Sequence, residues 1–518
     1  MVLTGSSKRP ILQLILVMTV IRCLIAHLIN LGNDEVYYFT YAVLPAWNHF
    51  DHPPLVGVFI RIFTLNLIAC DEIMVRLPGI VGAAVNTWLI ARCGELIKSR
   101  QTGIIAAILY NTSIYTSVIA GIFILPDSVQ LVFWLAALYS MLRCTGSDEP
   151  TIVRKHLLLI GLWTGLAVMS KVHGVFLRFG FLAFLTTRKH ELFKNPHLYT
   201  SLALTAILIS PILFWNISND FITWRFHSER VTVTEQGINF QSFFRTTIGQ
   251  ILYANPVQIV LFAMAGKDIA RKQNFLNAPY LSLLLWSGIP IIICTITISL
   301  FRDTLPHWSG PGFVALMLIA AAWLEERAST PVHHRILNCC VGLMAFVFIA
   351  GPLIICCYPG TMSSKKFPMT GSGDATLDIY GWDKVLPAFE KIRNDNIRQG
   401  TMSAQAPLLV HKWFPGAHIY YHVAYPLRMR LVGAGNIHDL HQFCWLNKIY
   451  GQVSTGSDAW YIAPSNYFTD PAAQYAGQFK SIEKAGTIAQ RRGGRIARYW
   501  FVYRLKHATR PVGCDTSL

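Results

Sequence analysis

Apolar segments of about bilayer length recur through the first 358 residues, separated by short polar stretches in which Lys and Arg cluster. No other feature restricts the fold as much. About 20 apolar residues match the hydrocarbon thickness of a bilayer, and a chain there must satisfy its backbone hydrogen bonds internally. Helices are therefore predicted for these segments. Composition agrees: 14% of the 518 residues are charged, 53% are hydrophobic, and the mean hydropathy is +0.41. A soluble chain of this length needs more surface charge, so this is a polytopic α-helical membrane protein. The net charge of +17 resides in short clusters between apolar segments, the pattern of membrane topology signals. No nucleic-acid motif accompanies it, so nucleic acid is not a partner.

Taking Lys8 and Arg9 as cytoplasmic sends the first segment, 10–30, outward. Segment 53–70 is short and carries Arg61, and an arginine at bilayer depth costs roughly 2.5–3.5 kcal/mol. It is read as a surface helix in the first outer loop. Segments 77–96, 102–120 and 128–142 then cross in turn. Segment 157–185 is broken by SKVHG at 170–174 and reads as two short tilted helices meeting at an outward bend. Segments 199–217, 248–265, 280–300, 313–324 and 336–358 complete about eleven spans, and 218–247 is a polar outer loop containing FHSER. The basic start is followed by no small-residue cleavage site, so it reads as a retained first helix.

From residue 359 the composition becomes that of a soluble domain. Helical spacing covers 383–399, strand-like runs occupy 406–410, 459–463 and 497–505, and 413–423 fits a helix. The expected division is 1–358 in the membrane and 359–518 as a small α/β domain outside it. Most cysteines (Cys23, Cys70, Cys339, Cys340, Cys356 and Cys357 among them) lie in apolar segments. They read as small buried hydrophobes with free thiols rather than a disulfide frame.

The stretch 33–54, NDEVYYFTYAVLPAWNHFDHPP, is the chemical centre of the chain. Asp34 and Glu35 stand at the mouth of the first apolar segment, where carboxylates are costly without a polar cavity. The aromatic run after them suits the lipid headgroup region. Asp51 and His52 follow, closed by two prolines. A topology set by basic residues and span length alone places Asp127, Lys171, His173, His227, Glu229, Arg230, Asp303 and His307 on or near the same outer side. Carboxylates with histidine suit deprotonation of an acceptor and metal binding, and cations suit an anionic phosphate leaving group. The combination suggests group transfer from a lipid-linked phosphate.

Each residue also has a plainer reading. Asp34 and Glu35 could end a helix on the wet side, His52 could be a turn residue, and Asp127 after Pro126 could open a helix. His227, Glu229 and Arg230 could form a solvated loop. Lys171 at the break of an apolar segment is the hardest to read as structural. A transporter of lipid-linked sugars is the competing function, but the inverted repeats typical of transporters are not evident.

The motifs NDEVYYFTYA and FDHPPLVGVFIRIF resemble the first outer loop of bacterial glycosyltransferases of families 39 and 83. These are relatives of protein O-mannosyltransferases and of the lipid A aminoarabinose transferase, with the GT-C fold. VRLPGIVGA, LPDSVQLVFW, MSKVHGVFL and LPHWSGPGF follow in the expected order. The resemblance implies an inverting transfer from a polyprenyl-phosphate sugar to a lipid, glycan or protein acceptor, on the periplasmic face of a bacterial inner membrane. It implies Asp34 as general base, Glu35 in support, and Asp127 as a second acid orienting the acceptor or holding a cation. Asp51 and His52 stand where the aminoarabinose transferase has Glu and Lys. That departure leaves their role open: His52 is a candidate phosphate contact, and Asp51 with His227 a candidate site for Mg, Mn or Zn. Lys171, Arg230 and His307 are the remaining candidates for the donor phosphate.

Overall fold

The computed structural model describes residues 9–232, 237–327 and 331–515; Lys8, used to orient the first helix, lies outside them. Two compact units are present: residues 1–24 with 46–347, and residues 25–45 with 348–518.

The helices in order are α1 (Arg9–Leu28), α2 (Asn33–Val43), α3 (Leu55–Phe63), α4 (Glu72–Ile97) and α5 (Arg100–Asn111). A π-helical turn, Tyr115–Ile119, precedes α6 (Pro126–Thr145) and α7 (Pro150–Ser170). A 3-10 turn, Val172–Gly174, joins α7 to α8 (Val175–Arg188). Then come α9 (Pro196–Ile217), α10 (Ile222–Val231), α11 (Phe240–Ala254), α12 (Pro256–Ala270), α13 (Ala278–Ser299), α14 (Gly310–Glu326) and α15 (Pro331–Cys357). Among the described residues, eight helices are long and apolar enough to cross a membrane, and nine if the bent pair α11–α12 is one span. The protein is a multi-pass membrane protein. The other two of the eleven expected crossings fall on α5 and α8, of 12 and 14 residues. The nine residues of α3 extend about 14 Å, too short to span, as its arginine indicated.

Three local readings change. Helix α7 runs a full 21 residues and begins at Pro150, so the broken segment is one long helix and one short helix. Arg154 and Lys155 lie exposed on its first turns, where long basic side chains reach water from a helix end. The loop 218–247 contains α10 and the start of α11. The single crossing expected at 248–265 is bent by 92° between α11 and α12. Pro256 excludes helical geometry at Asn255, which adopts φ +79°, and then opens α12 as its first residue. The Asn255 side chain accepts from Val257 N–H at 3.0 Å and donates to the Thr112 carbonyl at 2.7 Å, so the bend is satisfied internally.

Helices in the first unit approach closely where glycine permits. A Cβ at Gly94 of α4 would lie 2.6 Å from the Gly103 Cα of α5. Small-residue contacts of this kind bring apolar helices together where no hydrophobic drive separates lipid from protein.

The second unit holds a five-stranded sheet with strand order β2-β1-β4-β6-β5. Its strands are β1 (Leu408–Val410), β2 (Leu431–Gly433), β4 (Ala459–Pro464), β5 (Phe479–Arg492) and β6 (Arg495–Ala508); β3 (Gly435–Asn436) pairs separately with β7 (Cys514–Asp515). Strand β1 runs parallel to β2 and β4, whereas β6 is antiparallel to β4 and β5. Helices α16 (Val385–Arg398) and α17 (Trp413–Ile419) lie where helical spacing indicated. Strand β5 was missed because its side chains are largely polar and charged; pairing with β6 through a turn at Gly493 and Gly494, both at positive φ, makes it a strand. The six cysteines named above are free, as expected, although Cys339 and Cys357 are exposed rather than buried, and one disulfide was not foreseen. Cys444 and Cys514, 70 residues apart, form a disulfide, and nine cysteines are free. Sequence spacing carries no signal for this pair, because the fold alone brings β7 beside the helix Phe443–Tyr450.

Candidate active site

Helix α6 opens with Pro126, so Asp127 falls in its first turn, where the unpaired amides favour an acid. Helix α7 ends at Ser170, and the 3-10 turn leaves Lys171 at the break. The two meet as an ion pair: Lys171 Nζ lies 2.7 Å from Asp127 Oδ2, with both side chains 3% exposed. The other Asp127 oxygen accepts from the Tyr115 hydroxyl at 3.2 Å. Gln130, one turn further along α6, donates to the Lys171 carbonyl at 2.7 Å and holds the break against α6. Gly310 makes room for the Tyr115 ring, since a Cβ there would lie 2.2 Å from it.

A second group surrounds this pair within the first unit. Residues 48–52 form a tight loop in which His49 N–H donates to the His52 carbonyl at 3.1 Å. The loop is tied to α10: Asn48 donates to the Thr223 hydroxyl at 2.9 Å, and that hydroxyl donates to the His49 carbonyl at 2.9 Å. Phe50 packs on Phe226 with ring centroids 4.7 Å apart. His227 bonds the Asp51 carbonyl at 2.6 Å and meets the His52 ring edge-on. His173 lies against Trp308, and His307 interacts electrostatically with Asp127 and Lys171. The structure therefore brings Asp51, His52, Asp127, Lys171, His173, His227 and His307 into one cluster. Arg230 is exposed, with its guanidinium 4.5 Å from the centre of the Phe226 ring. Asp303 pairs with Arg245 at the surface, and Glu229 is exposed.

Burial sets the charge states. It depresses His52 to about 3, opposed by Asp51 and reinforced by His227 and Lys171. It also holds His173 well below the ordinary value, with Lys171 adding to the shift, and lowers His227. These rings are neutral at pH 7 and act as hydrogen-bonding groups; Lys171 is the cation. Each folded value lies below the ordinary 6.5, so as the pH falls the unfolded chain protonates first. Stability present above pH 6.5 is therefore lost progressively as the pH falls toward about 3. Thermal melts in lipid nanodiscs across that range should show the decline, and His52→Gln should flatten it.

The structure does not gather further ligands around Asp51 and His227 among the described residues. They meet through the Asp51 carbonyl, and no group of three or more His, Cys, Asp or Glu suited to a metal occurs among the described residues. No step is derived through a metal.

Asp34 and Glu35 belong to the second unit. Asp34 is exposed on the first turn of α2. Glu35 is 1% exposed, and its carboxylate accepts from Gly32 N–H at 2.7 Å, closing the helix start. The aromatic run is not a headgroup belt. Tyr37 packs on Trp413, and Phe39 on Tyr421 and Tyr425, so these rings bury α2 in the unit that contains the sheet. Asn33 anchors the helix start: its amide donates to Asp378 at 3.2 Å, and its oxygen accepts from His418 Nε2 at 3.0 Å. His418 is stacked on Trp382 at 3.9 Å, and burial holds it neutral. Asn33→Ala should strand the buried His418 donor, cost about 1–3 kcal/mol locally, and speed hydrogen exchange of the α2 amides.

Tyr115, Gln130, Asn48 and Thr223 escaped the sequence reading. Gln130 left a usable signal, a polar residue one turn after Asp127 in an apolar segment. Tyr115 left none.

The Dolichyl-phosphate-mannose-protein mannosyltransferase family matches residues 51–215. The crystal structure of ArnT from Cupriavidus metallidurans bound to undecaprenyl phosphate is similar at a TM-score of 0.65 and 13% identity, covering 95% of this chain and 97% of that one. The apo form of that protein matches at 0.62 and 13% identity, with the same coverage. No curated protein matches in sequence at a significant level. The matched segment contains Asp51, His52, Asp127 and Lys171, and the structural likeness extends over nearly the whole chain, so the protein has the fold of ArnT and carries within it a segment similar to the dolichyl-phosphate-mannose-protein mannosyltransferases.

Proposed function

We propose that the protein transfers a sugar, with inversion, from a polyprenyl-phosphate donor of the undecaprenyl type to a lipid, glycan or protein acceptor at the periplasmic face of a bacterial inner membrane. The buried Asp127–Lys171 pair at the α7 break carries this reading. Charged side chains are placed inside an apolar helical unit for a chemical reason more often than for stability, because burying an ion pair returns little net energy. Undecaprenyl phosphate is the ligand in the similar ArnT structure, and this supports the donor class. The Cys444–Cys514 disulfide in the second unit suits an oxidising compartment such as the periplasm.

The reaction is a single displacement at the sugar C1. Asp34 takes the proton from the acceptor hydroxyl or amine, the acceptor atom bonds to C1, and the C1–O bond to phosphate breaks with its electron pair on the phosphate. Lys171 has three N–H donors and spends one on Asp127, so two remain for the departing phosphate. Neutral His52 and His307 donate further hydrogen bonds, and the exposed Arg230 attracts the anion on approach. Asp127, fixed by Tyr115, keeps Lys171 in place and orients the acceptor.

The test is a transfer assay with reconstituted protein across a panel of polyprenyl-phosphate sugars, using membrane extract as acceptor and mass spectrometry as readout. Release of polyprenyl phosphate with a glycosylated product of inverted configuration is expected. Folded protein that turns over no donor would remove the reading.

A further inference from the structure

Helices α8 and α13 frame a groove of about 900 Å³ that the transfer reaction does not use. Its walls are apolar, with Phe176, Phe179, Leu285, Trp286 and Ile293 prominent, and Arg188 stands at one end. The groove is open to the surface, since Phe179 and Ile293 are more than half exposed. Arg188, also exposed, makes no hydrogen bond or ion pair with the described residues. The wall residue Ile269 lies near the end of α12, which leads directly into Arg271 and Lys272, both exposed. The charged end is therefore a basic rim, and the far end at Phe176, Ile293 and Cys294 contains no cation.

We propose that this groove binds an anionic glycerophospholipid, one acyl chain along α8 and the headgroup phosphate on Arg188. Two observations select this occupant. From Phe176 to Arg188 the helix rises about 18 Å, close to the roughly 15 Å hydrocarbon depth of one leaflet. A single acyl chain fits that length, whereas a polyprenyl chain far exceeds it. The cation also lies at the end of α8 remote from Lys171. A donor lipid with its phosphate at Lys171 would leave Arg188 unmatched, whereas a phospholipid of the opposite leaflet matches it. Basic pockets between membrane helices recognise anionic headgroups in this way.

The experiment uses the full chain in mild detergent. Tryptophan quenching is measured with brominated-acyl phosphatidylglycerol and with brominated-acyl phosphatidylcholine, and the Trp286→Phe variant isolates the groove signal. The Trp286 component should be quenched at about five-fold lower phosphatidylglycerol concentration, Arg188→Gln should abolish that preference, and Arg188→Lys should retain it. Because Arg188 is exposed, these substitutions leave the fold intact. Equal quenching by both lipids, or a preference surviving Arg188→Gln, overturns the proposal. So does displacement of phosphatidylglycerol by polyprenyl phosphate at lower concentration than by phosphatidylglycerol itself, which would make the groove a carrier-lipid site.

Discussion

Lys171→Ala is expected to destabilise the first unit by about 3–5 kcal/mol and to abolish donor binding. The stability loss follows from burial: removing the ammonium leaves Asp127, 2% exposed, without its counter-ion and with the Tyr115 hydroxyl as its remaining hydrogen-bond donor among the described residues. The double variant Lys171→Met with Asp127→Leu removes both charges, so its melting temperature should return toward that of the parent while donor binding stays absent. The pair of results separates fold from function, because a purely structural ion pair would recover both. Melts in nanodiscs and titration with a non-transferable polyprenyl-phosphate analogue supply the two readouts. Parental donor affinity in the double variant would remove Lys171 from the phosphate role.

Asp34→Asn should lower transfer about 10²–10⁴-fold, the range over which a general base contributes, with donor affinity unchanged. Asp34 is exposed in the first turn of α2, so the amide should fold as the parent does. Glu35→Gln makes an informative contrast. Its carboxylate is committed to the Gly32 amide at the helix start, so the substitution should cost stability of about 0.5–2 kcal/mol and leave the rate largely intact. Near-parental transfer by folded Asp34→Asn would sink the base assignment while leaving Lys171 untouched.

Several features were legible because they answer to the solvent and to local backbone chemistry. Segments long enough to cross a bilayer announce their helices. The shortness of 53–70 and its Arg61 marked α3 as non-spanning, in keeping with its nine residues, and SKVHG marked the break after Ser170. Lys171 stood out as a cation in an apolar run, and Asp127 as an acid following a helix-opening proline. Other features depend on partners distant in sequence. Lys171 and Asp127 are 44 residues apart, and only the packing of α6 against the α7 break makes them a pair. Tyr115, an aromatic in an apolar stretch, becomes an acid's partner only once α14 presents Gly310 beside it.

The aromatic run after Glu35 illustrates the division most clearly. Read alone, Tyr37, Tyr38, Phe39 and Tyr41 suit a lipid–water boundary as well as a protein core, because such rings are amphipathic in either place. Trp413, Tyr421 and Tyr425 decide between the two by burying them. By itself the sequence determined that the chain enters a membrane as helices, that an α/β region follows them, and that acids and cations suited to phosphate chemistry are present. Hydropathy and residue type suffice for that. Only the tertiary structure decided which charge neutralises which, which histidines are neutral, that α2 is built into the unit with the sheet, and that Cys444 meets Cys514. Those outcomes are set by burial and by contacts across long sequence distances, and neither is a property of a local stretch of chain.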